Sequence, residues 1–386
     1  MKNNFIILLL LATTYGFSQN RLPVIKANAK TATIQEVGQP LKKWNLSPKI
    51  KMDVFTTNKL VKPVTVKFKT DIDSISFKLK PGEQKDFIVL LNGKDSCYNR
   101  IQTPELKNFN HVKPEVHDTI PFAINKHNTN SIKVVLNQTD TLNLNFDSGA
   151  TELVLIEEAL KNKVKSKLDL YNTLHDIKVG SKTYKSKVYD IQLAGHGVDG
   201  LLGWDNFDGY IVELNYDKNI MVVHSKLPKA VKQNKAVDKF KMKYFNQVFY
   251  IEGEITQGKT TVKDWFMFDT GYQKTVVLDN DLLNKAKFPV AEMAVIQTDT
   301  LLGIMKNKIP VVTSNLESLK LGKNELKNVP AQILTTNKPV RGANVHILGS
   351  DVLKRFNTFF DFQQNLVYLE PNHLYEAKYI QKSSDL

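Results

Sequence analysis

The chain has 386 residues, of which 42% are hydrophobic, and its formal net charge is +14. This composition fits an ordered globular protein, and the length suggests two or three domains. The single cysteine, Cys97, excludes an internal disulfide. Lysines recur singly along nearly the whole chain, which favours a solvated lysine surface over a nucleic-acid-binding patch. We therefore expect no nucleic acid among the partners.

Residues 1–18 are predicted to be a secretory signal peptide. Lys2 supplies a positive charge, Phe5 to Ala12 is continuously apolar, and Gly16 to Ser18 offers the small residues that a signal peptidase reads. The apolar run is far shorter than the ~20 residues that a membrane span needs, so a buried N-terminal helix or an uncleaved anchor is the minor alternative. We expect a mature chain that begins near Gln19, has no integral membrane span and is exported, either periplasmic or extracellular.

Residues 19–103 show strand patterns but no set of titratable side chains that suggests chemistry. Residues 19–50 have no sustained period and are interpreted as an extended lead-in. Residues 51–103 alternate apolar and polar side chains, which predicts a small β-sandwich-like module. Its predicted strands are Met52–Phe55, Val64–Phe68, Ser74–Leu79 and Asp86–Leu91. We expect this module to be accessory and to be followed by a polar, proline-bounded linker at 104–117.

The remainder of the chain contains one sequence unit used twice. In each copy an apolar strand runs into Asp-[Ser/Thr]-Gly, at Asp147–Gly149 and at Asp269–Gly271. Downstream, Leu-Leu-Gly-Trp-Asp at 201–205 recurs as Ile-Leu-Gly-Ser-Asp at 347–351, a spacing of 146 residues (347 less 201). Several segments repeated in a fixed order indicate a duplicated structural unit.

With these motifs the sequence resembles the pepsin-like and retroviral-type (retropepsin-like) aspartic proteases, in particular two-lobed bacterial members of the exported type. The resemblance covers roughly residues 118–371. It implies a mainly β fold in which a pair of aspartic-protease-type β-barrel lobes, at 118–228 and 236–386, follows the small module. Short helices are expected at 153–163 and, in the C-terminal tail, at 374–381. One chain, as a monomer, is then sufficient for a complete site.

The resemblance makes Asp147 and Asp269 the catalytic pair. The residues that it implies as supports are Ser148, Gly149, Thr270 and Gly271 for the dyad, and Gly203 and Gly349 for the loops that carry it. Two carboxylates held about 3 Å apart cannot both ionise. One can then activate water while the other protonates the carbonyl of a peptide or unfolded protein substrate. This chemistry needs no metal or cofactor, and the sequence lacks His-Glu-x-x-His, Gly-x-Ser-x-Gly and Cys-x-x-Cys.

The two copies differ in length. The aspartates are 122 residues apart (269 less 147), whereas the glycines at 180 and 322, in matching hairpins, are 142 apart, so the second copy has 20 additional residues. Among them the alternating segment 295–305 is interpreted as a flap that folds over substrate, and the alternative is a simple loop insertion. The candidate substrate-contacting residues of the flap are Thr298, Asp299, Thr300 and Gly303.

Two positions depart from the family pattern. Tyr272 follows the second glycine, where a small residue is usual, and polar Asn145 stands two positions before Asp147. A distorted dyad would bind peptides without cutting them, so a catalytically degenerate peptide-binding module is the alternative to an aspartic endopeptidase. Ala150 also lacks the hydroxyl that a serine would donate to the dyad, which predicts a mildly acidic activity optimum.

Overall fold

The computed structural model describes residues 22–60, 62–192, 197–302, 307–339 and 343–379. Within these ranges the chain forms 29 β-strands, four short α-helices and two single-turn 3-10 helices. None of the helices in them is long and apolar enough to cross a membrane.

The N-terminal module, residues 24–102, is a sandwich of two four-stranded sheets. Its strands are β1 (Val24–Ala27), β2 (Thr31–Glu36), β3 (Lys42–Asn45), β4 (Asp53–Thr56), β5 (Val64–Lys69), β6 (Ser74–Leu79), β7 (Gln84–Leu91) and β8 (Asp95–Gln102). The sheet orders are β1-β7-β8-β4 and β3-β2-β5-β6. Phe87 of the first sheet meets Phe68 of the second with ring centroids 5.0 Å apart, in an apolar core that both sheets share.

Residues 24–45 differ from the expected extended lead-in, because they supply β1, β2 and β3 of this sandwich. In β2, Ala32 and Ile34 are buried while Thr31 and Gln35 are exposed, which is the alternation of a half-buried strand. The three strands are short and separated by turns. The alternation of buried and exposed residues is therefore interrupted at each turn and is not sustained over the whole stretch.

The first lobe carries ten strands and two short helices. They are β9 (His117–Ile124), β10 (Asn130–Leu136), β11 (Asp140–Asp147), β12 (Leu153–Ile156), α1 (Glu157–Asn162), β13 (His175–Val179), β14 (Lys182–Ser186), β15 (Val188–Ile191), β16 (Gly200–Gly203), a 3-10 turn (Trp204–Phe207), β17 (Ile211–Asn215), β18 (Ile220–His224) and α2 (Lys229–Gln233). The helix expected at 153–163 is shorter than predicted. Its first four residues form β12 instead, because Leu153 and Leu155 alternate with half-buried residues and pack into the sheet core.

The second lobe carries eleven strands. They are β19 (Asp238–Lys241), β20 (Lys243–Phe245), β21 (Val248–Gln257), β22 (Thr260–Phe268), β23 (Val276–Leu278), α3 (Asn280–Lys285), a 3-10 turn (Val290–Glu292), β24 (Val295–Leu302), β25 (Lys308–Leu321), β26 (Asn324–Leu334), β27 (His346–Leu348), α4 (Ser350–Leu353), β28 (Phe356–Asp361) and β29 (Leu366–Pro371). The helix expected at 374–381 is absent from its described part, 374–379. The carbonyls of Leu374, Tyr375 and Ala377 accept from the Arg355 guanidinium at 2.6 to 3.2 Å, and the backbone there forms turns instead of a helix.

The sequence duplication appears as the same strand order in both lobes. The first lobe has β15-β12-β16-β11-β10, and the second has β26-β23-β27-β22-β21. β11 and β16 are parallel, as are β22 and β27, and the next pair along is antiparallel in each lobe. A mainly β fold of two similar lobes behind a small sandwich is therefore confirmed.

A shared sheet joins the lobes. The final hairpins of the two units pair antiparallel through β17 and β28, which gives the order β9-β18-β17-β28-β29-β19. Phe360 of β28 packs under both lobes, with ring centroids 5.7 Å from Phe146 and 5.3 Å from Phe268. All three rings are fully buried. This contact holds the strand ends that carry the two aspartates next to each other.

Candidate active site

The two aspartates lie at the ends of equivalent strands. Asp147 is the last residue of β11, and Asp269 directly follows β22. Each is preceded by a fully buried phenylalanine, Phe146 or Phe268, that anchors the strand in the core. The chain therefore emerges from the core at the carboxyl-bearing residue in both lobes. Asp147 itself is 5% exposed and Asp269 is half-buried.

Ser148 and Thr270 lock the two loops together with four hydrogen bonds. The Ser148 hydroxyl donates to the Phe268 carbonyl at 2.7 Å, and the Thr270 hydroxyl donates to the Phe146 carbonyl at 2.8 Å. The Ser148 N–H donates to Thr270 Oγ1 and the Thr270 N–H donates to Ser148 Oγ, both at 3.0 Å. Every bond crosses between the lobes. Both side chains are buried, so these bonds are shielded from water.

The two glycines are required by the closeness of the opposite carboxyl group. A Cβ at Gly149 would lie 2.7 Å from Cγ of Asp269, and a Cβ at Gly271 would lie 2.3 Å from Oδ2 of Asp147. Real Cβ atoms do not approach other heavy atoms to such distances. Each aspartate therefore occupies the space that the glycine of the other lobe leaves empty, and the two carboxyl groups are within hydrogen-bonding reach of each other.

Backbone amides donate hydrogen bonds to both carboxyl groups. The Gly149 N–H donates to Asp147 Oδ1 at 2.7 Å. The N–H groups of Gly271 and Tyr272 donate to Asp269 Oδ1 at 2.9 and 3.0 Å. These donors fix the orientation of each carboxyl group and favour its charged form.

The pair nevertheless holds a proton to unusually high pH. Burial raises the pKa of Asp147 to about 6 against the lowering effect of the amide donors. Burial, and after it the negative charge of Asp147, raises the pKa of Asp269 well above its ordinary range. Two like charges in one desolvated site cannot both be stable, so the pair shares one proton at mildly acidic pH. This state contains both a carboxylate and a carboxylic acid.

The two predicted supporting glycines lie directly behind the loops. Gly203 is opposite Asp147 in the parallel pairing of β16 with β11. A Cβ there would lie 2.4 Å from the carbonyl carbon of Thr151, and one at Gly349 would lie 2.3 Å from the carbonyl oxygen of Lys274. Any side chain at these positions would push the adjacent aspartate-bearing loop forward.

Two further supports were not predicted as such. Asp205 Oδ1 accepts from the Glu152 N–H at 2.6 Å, which holds the end of the loop that carries Asp147. The Ser350 hydroxyl donates to the Thr270 carbonyl at 2.6 Å in the second. Both residues lie inside the repeated Gly-x-Asp segments, so the repetition itself was a signal. The repetition did not indicate which backbone groups Asp205 and Ser350 would bind.

Tyr272, a departure from the family pattern, leaves the loop geometry intact. Its backbone N–H still bonds Asp269, while its ring packs in an apolar group with Tyr250, Met267 and Leu301. Its buried hydroxyl has no hydrogen-bond partner in the part of the chain that is described. Burial raises the pKa of this hydroxyl, and the charges of Asp269 and Asp299 raise it further. Tyr272 therefore lies within electrostatic range of both the dyad and the segment predicted as a flap.

Asn145, the other departure, is fully buried in β11, two residues before Asp147. Neither oxygen nor nitrogen of its side-chain amide has a hydrogen-bond partner among the described residues. An unpaired buried amide costs stability. We have no physical account of why this position is polar.

The 20 additional residues of the second lobe form most of a hairpin. β24 lies at the edge of the sheet and pairs antiparallel with residues 308–314 of β25. The C-terminal part of β25 pairs with β21. The equivalent pairing in the first lobe is that of the shorter β13 with β10. No strand of the described first lobe corresponds to β24. We call the paired segments 295–302 and 308–314 the flap hairpin. Its residues Thr298, Asp299 and Thr300 are exposed, and Gly303 lies outside the described residues.

The described ranges contain no group of three or more His, Cys, Asp or Glu side chains placed to hold a metal ion. The titratable groups that come together in the candidate site are the two aspartates.

Comparison with known protein families gives a match within the second lobe. A sequence model for a family described as aspartyl protease matches residues 251–352, which include Asp269 and Gly349. Among solved structures, an aspartic proteinase from Irpex lacteus is similar at a TM-score of 0.47 and 14% identity, over 68% of this chain and 100% of that chain. No curated protein sequence matches significantly. The second lobe is therefore similar to aspartyl proteases.

Proposed function

We propose that the protein is an aspartic endopeptidase that hydrolyses peptide bonds with a water activated between Asp147 and Asp269. The observation that carries this proposal is the pair of carboxyl groups, Asp147 buried and Asp269 half-buried, each of which lies against the glycine of the other loop. The four bonds of Ser148 and Thr270 support it, since they fix the two loops relative to each other. Such preorganisation is what an acid–base pair requires.

The mechanism follows from the shared proton. The ionised carboxylate takes a proton from the water, whose oxygen attacks the carbonyl carbon of the scissile peptide. The protonated carboxyl group gives its proton to the carbonyl oxygen, which produces a neutral tetrahedral diol. A proton then passes from the dyad to the amide nitrogen as the C–N bond breaks, and the diol returns one proton to the dyad. The steps conserve the single proton and need neither a metal nor a cofactor.

Substrates in this proposal are peptides or unfolded proteins that enter in an extended form. The flap hairpin closes over them from the second lobe, with Thr298, Asp299 and Thr300 of β24 as candidate contacts. Leu301 of the same strand packs on the apolar group that contains Tyr272, so the hairpin rests beside the dyad. Exclusion of water by such a closure strengthens the electrostatic interactions of the dyad.

Both carboxyl groups come from one chain, so we propose that a monomer is active. We also propose export to the periplasm or beyond, on the basis of the charged, apolar and small-residue segments of residues 1–18. That leader lies outside the described residues. Fractionation of cells that produce the full-length chain, with mass analysis of its N-terminus, tests this: export predicts a start near Gln19.

A peptide-binding module without catalysis is the second candidate, favoured by Tyr272 and by the unpaired amide of Asn145. The two candidates are separated by incubating an unfolded protein substrate with the purified chain, with and without a peptide-like aspartic protease inhibitor. The endopeptidase proposal predicts inhibitor-sensitive fragments. Inhibitor binding by calorimetry without any fragments would favour the binding module.

A further inference from the structure

We propose that the N-terminal module is a permanent part of the enzyme, and that Lys59 is a positioning residue that clamps the two lobes behind the first catalytic loop. The clamp is the segment Thr57–Lys59, which follows β4. Two experiments test this proposal, and only the one that measures cleavage rests on the proposed function. The opposite expectation is that the module is a removable propeptide.

The clamp segment is buried although it lies between strands. Thr57, Asn58 and Lys59 are 0%, 5% and 6% exposed. Lysine is almost never buried to this degree unless its charge is compensated. Thr57 and Asn58 bond to Gln102 and Glu36 of the module itself. The segment also contacts Gln247 of the second lobe, Asp208 of the first lobe and Phe362 beside the joining sheet, so it docks the module on both lobes.

The Lys59 ammonium is compensated by groups from both lobes. It donates to Asp208 Oδ1 of the first lobe and to the Phe362 carbonyl beside the joining sheet, both at 2.5 Å. It also lies 6.0 Å from the ring centroid of Trp204 and 5.9 Å from that of Tyr244, at cation–π distance. Trp204 belongs to the first lobe and Tyr244 to the second. One charge from the module therefore bridges both lobes.

Asn58 and Gln247 extend the clamp. Asn58 donates to Glu36 of the module at 3.0 Å and accepts from the Gln247 N–H of the second lobe at 2.8 Å. The Gln247 side chain donates back to the Thr57 carbonyl at 2.9 Å. The Gln247 carbonyl accepts from the Trp204 indole at 3.1 Å. Module, second lobe and first lobe are thus linked by direct hydrogen bonds.

Trp204 connects the clamp to the dyad. The backbone N–H of Trp204 donates to the Ala150 carbonyl at 3.2 Å. The adjacent Gly203 lies opposite Asp147 in the pairing of β16 with β11. A shift of Trp204 would therefore move the loop that carries Asp147. Small displacements of reacting groups cost large factors in rate, about a hundredfold for ~1 Å.

The module is not placed as an inhibitory segment would be. The hydrogen bonds to the Asp147 and Asp269 carboxyl groups within the described ranges come from the two catalytic loops and from each other. Loss of the module would also leave the Asp208 carboxylate, 10% exposed at its side chain, without its lysine. It would uncover the buried Trp204 ring as well.

A nicked-chain experiment tests the docking without using activity. The linker residues 110–113, of which Asn110, His111 and Lys113 are exposed, are replaced by the recognition sequence of a specific protease. The folded full chain is then cut and run on a sizing column. We expect the two fragments to co-elute, to separate in the Lys59→Met variant, and to co-elute in the control Lys62→Met, whose lysine is exposed. Separation of the unsubstituted fragments, or co-elution of the Lys59→Met fragments, would overturn the clamp.

The activity arm distinguishes positioning from mere stability. In the uncut Lys59→Met chain, assayed well below its unfolding temperature, kcat should fall about tenfold to a hundredfold with KM little changed. The alkaline limb of the pH profile should move to lower pH. A greater distance between the two carboxyl groups weakens their interaction and lowers the pKa at which the pair loses its shared proton. An unchanged kcat and profile, or an active species that lacks residues 19–103, would contradict the proposal. If the unsubstituted chain does not cleave at all, the proposed function fails, and the column result still decides the clamp.

Discussion

Ser148 and Thr270 exchange hydrogen bonds across the two lobes: the N–H of each donates to the hydroxyl oxygen of the other at 3.0 Å. Each hydroxyl then donates to the carbonyl that precedes the other lobe's aspartate, so each of the two loops is held by the other. The sequence duplication makes this relation close to symmetric. It also means that the distance between the two carboxyl groups is set by two side chains that take no part in the chemistry.

Replacement of Thr270 by Val should damage both stability and catalysis. The variant keeps the shape but leaves the Phe146 carbonyl and the Ser148 N–H unpaired in a buried site, at a cost of about 2–4 kcal/mol. We expect urea unfolding to show this loss and kcat to fall at least about tenfold. Thr270→Ser retains the hydroxyl and serves as the matched control. Equal behaviour of the two variants would mean that the cross-lobe bonds are not needed.

Removal of the Asp269 carboxyl group should stabilise the fold at neutral pH. The pKa of Asp269 is raised in the folded protein, so this group contributes stability that is present below its unfolded pKa of about 4 and is lost as pH rises through the folded value. Asp269→Asn does not titrate. Its free energy of unfolding relative to the unsubstituted protein should therefore increase from pH 4 to pH 8. Asp95→Asn, at an exposed carboxylate, is the control, and a difference that does not grow with pH would be evidence against the raised pKa.

The pH profile of cleavage should be bell-shaped with an optimum at about 4.5 to 6, since the active state carries one proton on the pair. Burial raises the pKa of Asp147 to about 6 despite the amide donors. Ala150→Ser adds a hydroxyl donor that favours the charged form, so the acidic limb should move to lower pH. Ala150→Cys, with a weak donor of similar size, is the matched control. An optimum below about pH 3, or no shift with serine, would contradict this explanation of the profile while leaving the dyad in place.

Leu301 should matter for closure of the flap hairpin. Its side chain packs on the apolar group that contains Tyr272, whereas Val295 at the base of the same strand is 66% exposed. Leu301→Ala should slow the cleavage of long peptides several-fold without a change in the unfolding transition of the lobes, and Val295→Ala should not. Hydrogen exchange should also find β24 among the least protected strands of the second lobe. Slow exchange there would indicate a packed insertion with no gating role.

The two Asp-[Ser/Thr]-Gly motifs, taken with their resemblance to aspartic proteases, were sufficient to predict the two loops that carry Asp147 and Asp269. Asp-Ser-Gly and Asp-Thr-Gly carry their own geometric requirement, since only glycine fits against the opposite carboxyl group. The same resemblance implied Gly203 and Gly349 as supports of those loops, and both glycines lie against them. The strands that present Asp147 and Asp269 also followed from apolar runs, with bounds that differ by a few residues.

What could not be predicted depends on contacts between distant residues. Lys59 is one lysine among many in the sequence, and its role arises from Asp208, 149 residues further along the chain. A helix was expected at 374–381, but in the described part of that segment the buried Arg355 guanidinium donates hydrogen bonds to three backbone carbonyls. The strands at 24–45 were missed because each is too short to show a period. Tertiary contacts override local preference in each of these cases.

The most direct test of the proposed dyad compares cleavage of an unfolded protein substrate near pH 5 by the unsubstituted chain, Asp147→Asn and Asp269→Asn. The near-isosteric amide keeps the loop hydrogen bonds but cannot activate water. We predict inhibitor-sensitive cleavage by the unsubstituted chain and loss of cleavage in both variants, with circular dichroism spectra that are the same for all three. Near-full activity in either variant, or a folded unsubstituted chain that binds the inhibitor and cuts nothing, would contradict a catalytic pair formed by Asp147 and Asp269.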